Sequence, residues 1–240
     1  MRNAIAILTL SGFCAQAQTI FTDEFNGNMV DTSRWTVSTA IPGSSVSIAN
    51  GYLDLVNRGV ITTVTDIPSP MQIDGRFQFL NNPTSNFYIW LRSSGMGQPG
   101  IGIKFEMQAE PWNPELRQIS IGDYTGSPET WTENVLIFNH SNKMILLDTW
   151  YNFKVIDTGY DIALYFDGAT TPTLALATAG TAGSKVSFFN REGSAAGSSI
   201  SEGGLTRFDS ITISVPEPSS LSLLLAGGAV IAAAKRRRLV

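Results

Sequence analysis

The chain reads as an all-β protein built as a single antiparallel β-sandwich. Three observations predict this. Apolar and polar residues alternate with period two in short segments along most of residues 20–214, the pattern of half-buried strands. Turn chemistry separates the segments, above all at Asn50-Gly51 and Asp167-Gly168, residue types that tolerate positive φ. No helical period and no repeat of solenoid or propeller length interrupts the pattern. Many short strands joined by Gly- and Pro-containing turns bury their apolar faces by stacking two sheets or closing a barrel.

The elements follow in order. Residues 44–49 and 52–56 alternate on either side of Asn50-Gly51 and predict a hairpin. Residues 59–65 are rich in β-branched side chains, and residues 71–80 alternate with Phe77 and Phe79 on one face. In the next strand Phe87, Ile89 and Leu91 share one face, and Tyr88, Trp90 and Arg92 share the other. Ile101, Ile103, Phe105 and Met107 follow the same rule, as do Tyr151, Phe153 and Val155, then Tyr160, Ile162, Leu164 and Phe166. Residues 185–190 and 208–213 close the set, while 180–183 and 193–204 read as surface loops.

Both ends of the chain read as signals. Met1-Arg2-Asn3, the apolar run 4–14 and Ala15-Gln16-Ala17 make a secretory signal peptide over residues 1–17. The single cysteine, Cys14, lies inside it, so the mature chain is expected to hold no disulfide. Residues 18–214 form the sandwich domain, long enough to bury one core. Without the signals the body keeps 11 basic and 19 acidic residues, a difference of −8. An acidic exterior argues against nucleic acid and anionic lipid, and suits neutral glycans or cations.

Residues 215–240 are a separate unit. Val215, Pro216, Glu217 and Pro218 form an extended segment, because proline cannot join a ladder and keeps its neighbour extended. The uncharged run 221–234 would make a helix about 21 Å long, short against a hydrocarbon core of about 30 Å. Lys235, Arg236, Arg237 and Arg238 form a basic stop that stays cytoplasmic and leaves the body outside. Motif, short apolar helix and basic tail in this order resemble the PEP-CTERM sorting signal. That resemblance implies an exosortase as partner, cleavage near the motif, and delivery to the cell surface or extracellular matrix. The other reading is an ordinary C-terminal anchor.

Residues 21–27, Asp31-Thr32-Ser33-Arg34-Trp35 and residues 50–55 resemble the opening of concanavalin A-like lectin and glucanase jelly rolls. LamG-type modules and family 16 glycoside hydrolases are among them. Residues 150–155 with 162–168 are similar to their paired late strands, and 208–213 to their closing strand. The implied fold is a concanavalin A-like jelly roll, and the implied partner is extracellular polysaccharide.

Three sets of residues are candidates for chemistry. Glu106, Gln108 and Glu110 share one strand face. Family 16 hydrolases carry E-x-D-x-E at the matching place, with the first Glu as nucleophile and the last as acid/base. Here the central Asp is Gln108, which cannot ionise; the competing reading is a solvated polar face that also carries Lys104. Exposed aromatics, Trp112, Trp131, Tyr124 and Trp90, are candidate platforms for sugar rings, whereas Trp35 and Trp150 read as packing. A structural Ca²⁺, as jelly rolls of this kind often hold, would use Asp23 or Glu24 with Asp209. Other signals carry nothing. Residues 95–100 match G-x-G-x-x-G but precede alternation rather than a helix, and His140 is the only histidine. The expected role is non-catalytic recognition of polysaccharide. A diverged hydrolase and a purely structural matrix protein are the alternatives.

Overall fold

The computed structural model describes residues 18–39, 43–80, 85–94, 100–107, 119–124, 135–141, 143–177, 183–192 and 204–215. The residues from Thr19 to Val215 form one compact unit. Its described elements are all strands, fifteen of them.

One sheet contains β1 (Gln18–Asp23), β3 (Ser45–Ala49), β4 (Tyr52–Val56), β6 (Met71–Leu80), β11 (Tyr151–Asp157), β12 (Asp161–Phe166), β13 (Leu174–Ala177) and β15 (Leu205–Val215). The order is β13-β12-β11-β6-β15-β4-β3, with β1 also on β15. The second sheet holds β2 (Trp35–Thr39), β5 (Gly59–Thr63), β7 (Ser85–Ser93), β8 (Gly100–Glu106), β9 (Ile119–Tyr124), β10 (Val135–Ser141) and β14 (Lys185–Glu192), in the order β10-β9-β8-β7-β14-β5-β2. We call them sheet A and sheet B. The two antiparallel sheets stack as the predicted sandwich, and neighbours distant in sequence make the crossovers of a jelly roll.

The pleat decides the faces. Phe77 and Phe79 of sheet A meet Phe87 and Phe105 of sheet B in the layer between the sheets, where Phe77 and Phe87 are 4.5 Å apart at their centroids and Phe87 stacks on Phe105 at 4.6 Å. Phe153, Phe166, Phe188 and Phe208 extend the same cluster. Gly75 makes room for it: a Cβ there would stand 2.4 Å from the ring of Phe153, its cross-strand partner. The Asn50-Gly51 hairpin forms with both residues at positive φ, 55° and 78°, and joins β3 to β4 in register from Ala49↔Tyr52.

Four expectations are corrected. Arg92 does not share the face of Tyr88 and Trp90. Its φ is +52° and the opposing ladder shifts between Lys185 and Ser187, so the side chain turns inward. There its Nε donates to Asp157 at 2.9 Å, and a second nitrogen donates to the other oxygen. Ser69 Oγ and the Gly159 amide also donate to Asp157, which is fully buried. Tyr160 is not on the β12 face; it precedes the strand and is 80 % exposed. The strand expected over 59–65 ends at Thr63. Strands β1, β2, β9, β10 and β13 went unpredicted: β1 and β2 are short and rich in Thr, Ser and Gln, β9 contains Gly122 and Asp123, β10 opens as an unbroken apolar run, and β13 has four residues.

Removing one partner from a buried ion pair strands the other charge, at a cost of about 3–5 kcal/mol. Asp157→Ala should therefore lower the urea midpoint severely. Asp66→Ala, at the exposed pair with Lys185, should leave it close to that of the wild-type protein.

Candidate functional site

Glu106 is the last residue of β8, and Ile101, Ile103 and Phe105 of that strand point into the core. Alternation therefore sends Lys104 and Glu106 to the outer face of sheet B. On this face Lys104 is in register with Tyr88 and with Ser120, and Glu106 with Asn86. Tyr88, Trp90, Phe189 and Val60 form a second apolar cluster beside them.

This face is closed, which corrects two expectations. Glu106 is only 8 % exposed and lies 2.8 Å from the Lys104 ammonium, so it does not belong to a solvated strand face. Lys104 Nζ also lies 5.9 Å from the Tyr88 centroid. Trp90 is 2 % exposed and is not an exposed platform. Its indole needs Gly100, where a Cβ would come within 2.6 Å of Nε1. Tyr124 ends β9, in register with Gly100 and Val135. Glu110, Gln108, Trp112 and Trp131 lie outside the described residues, as do residues 1–17 and 216–240 with the two end signals and Cys14.

The three carboxylates considered for calcium serve separate protein contacts. Asp23 accepts from Trp35 Nε1 at 2.8 Å and from the Phe25 amide at 3.0 Å. That ties the opening strand to the buried Trp35. Glu24 accepts from Asn26, and Asp209 pairs with Arg76 at 3.3 Å. Among the described residues no three His, Cys, Asp or Glu side chains gather in a metal-binding group.

The outer face of sheet A went unread in the sequence. Tyr52 and Trp150 lie 5.5 Å apart there, with Arg207 5.2 Å from Tyr52 and Arg76 4.8 Å from Trp150. Trp150 is half-buried on this surface rather than part of the core. Arg207 binds Asp54 through two hydrogen bonds of 2.7 and 2.8 Å, and that pairing holds its guanidinium pKa above the usual arginine value. A bulge at Asp209 shifts the β15 ladder between Phe208 and Ser210, which brings Asp209 to Arg76. The available signal was the outward set between the inward phenylalanines: Asp74 and Arg76 in β6, Asn152 and Lys154 in β11.

Comparison with known proteins agrees with this architecture. Residues 214–238 match the PEP-CTERM protein-sorting motif, which marks a protein exported and sorted through a membrane with exosortase processing. No curated protein sequence matches the chain. The fold is similar to a structure reported with endo-acting O-glycanases of human gut microbiota that initiate mucin breakdown, with a TM-score of 0.62 and 14 % identity over 83 % of this chain and 100 % of that one. It is similar to an immunostimulatory antigen and pseudo beta-1,3-glucanase of Mycobacterium tuberculosis, with a TM-score of 0.59 and 17 % identity over 83 % and 100 %. A glycosyl hydrolase family 16 protein of Mycobacterium smegmatis gives 0.56 and 12 % over 81 % and 99 %. At these identities the likeness establishes the jelly roll and leaves the chemistry to the residues.

Lys104→Met should cost about 1–3 kcal/mol, since it leaves a mostly buried carboxylate without its charged partner. The double change Lys104→Met with Glu106→Leu should recover most of that loss in urea unfolding. Additive losses would mean that the two side chains do not depend on each other.

Proposed function

We propose that this exported jelly roll is a non-catalytic carbohydrate-binding module that associates with extracellular polysaccharide after exosortase sorting. The observation that carries the reading is the condition of Glu106. A glycosidase nucleophile must reach an anomeric carbon, with a second carboxyl about 5 Å away in a retaining enzyme. Glu106 is instead buried and committed to an ammonium 2.8 Å away, and Gln108 stands where the resembling hydrolases have Asp. The neighbour described as a pseudo beta-1,3-glucanase offers a precedent for such a fold without the reaction. A diverged hydrolase using Glu106 and Glu110 is the second reading. It is favoured by the position of Glu106 on a strand face beside Tyr88 and Trp90.

Exposing the exported protein to a broad glycan array and assaying reducing ends separates these readings. Retention on at least one glycan without cleavage is expected. Cleavage lost in Glu106→Gln would establish the hydrolase, and no retention on any glycan would leave a structural matrix role. Trp112→Ala and Trp131→Ala test the two loop aromatics on the same array; retention that survives both changes removes them as platforms.

The sorted protein is delivered at the cell surface or in the matrix without its tail. Mass spectrometry of the exported chain should find residues 221–238 removed. Their retention would make the tail an anchor.

A further inference from the structure

The outer face of sheet A contains an open groove of ≈ 650 Å³, floored by β15, β6, β11 and β12 and flanked by residues 168–170. Strand register builds it. Thr212, Asp74, Lys154 and Tyr165 stand in one row across four strands, and Ser210, Arg76 and Asn152 in the next. Four strands set the first row at about 14 Å from end to end. The wall rises because Asp167 and Gly168 take positive φ, 51° and 75°, and turn the chain away from β12.

We propose that this groove, on the face of the sandwich opposite Glu106, binds a short segment of an uncharged polysaccharide. The proposal rests on the carbohydrate-binding reading and gives it a place and a ligand class. The lining supplies both hydrogen-bonding roles. Asp74 accepts, Lys154 and Arg76 donate, and Asn152, Ser210 and Thr212 do either. A sugar hydroxyl donates and accepts at once, so adjacent hydroxyls match adjacent groups of opposite role. Tyr165 adds an aromatic wall with the Lys154 ammonium set over its ring.

Two details show capacity left for a ligand. The Lys154 ammonium lies 4.4 Å from the Tyr165 ring centroid. It has no carboxylate at ion-pair distance among the described residues, although Asp74 stands beside it in register. Asp74 takes a hydrogen bond from Gln72 on Oδ2, and none of the described residues donates to its Oδ1.

Charge selects the ligand class. Arg76 is neutralised by Asp209 at 3.3 Å, and Lys154 stands across from Asp74, so the groove with its flanking carboxylate carries no net charge. The body around it has a net −8, which repels polyanions at long range. An uncharged chain meets neither a repulsive field nor an unmatched charge. The volume is of the size that holds a small ligand.

The test is binding of the exported protein to an array of uncharged gluco-, manno- and galacto-oligosaccharides and their uronate counterparts. Tyr165→Ala and Asn152→Ala are the groove variants. Tyr160→Ala, an exposed aromatic before β12, is the control, and thermal unfolding checks that all three fold. Retention on an uncharged oligosaccharide is expected, weakened about tenfold by each groove change and unchanged in Tyr160→Ala. Retention untouched by both groove changes, or confined to uronates, overturns the proposal while carbohydrate binding stands. No retention on any sugar overturns both.

Discussion

The phenylalanine layer between the sheets is the contact on which the rest of the structure depends. Phe77, Phe87, Phe105, Phe153, Phe188 and Phe208 all turn inward from different strands and pack edge-on, tilted or stacked against one another. In a pleated strand the next residue must point the other way. Each inward ring therefore dictates an outward neighbour. Phe105 sends Lys104 and Glu106 out of sheet B, and Phe153 sends Asn152 and Lys154 out of sheet A. A one-residue slip would exchange core and surface along a whole strand, so the aromatic core is what holds both outer faces in place.

The two faces that result are chemically unlike. On sheet B an ion pair and an aromatic cluster lie buried beside each other. A buried, paired carboxylate gives structure and has little freedom to attack a substrate. On sheet A polar and aromatic side chains line an open groove, where Arg76 pairs with Asp209 and Lys154 stands in register with Asp74. The same fold thus presents one surface suited to packing and another suited to a hydroxyl-rich ligand. The sorting motif at residues 214–238 marks the protein for export, and extracellular polysaccharide is the ligand proposed for that surface.

Much of the fold was legible because the period-two signal is strong where inward positions are large. The Asn50-Gly51 hairpin and the inward faces of β6, β7, β8, β11 and β12 followed from it directly. What failed were positions where backbone geometry breaks the period. Arg92 alternates correctly in sequence, yet a positive φ turns it toward Asp157 in the other sheet. The bulge that delivers Asp209 to Arg76 leaves no mark in composition. Trp90 looked exposed because alternation tells which face a residue takes and is silent on what covers that face. The sheet A groove was hidden for a related reason: Thr212, Asp74, Lys154 and Tyr165 are spread over some 140 residues and become a row only once strand order and register are known.

The central claim is that ligand meets the outer face of sheet A. Amide chemical-shift mapping of the exported protein, titrated with an uncharged oligosaccharide retained on the array, tests it most directly. Shifts concentrated at Asp74, Arg76, Asn152, Lys154 and Tyr165 are predicted, with Tyr88, Lys104 and Glu106 unmoved. Shifts concentrated at Tyr88, Lys104 and Glu106 would contradict it.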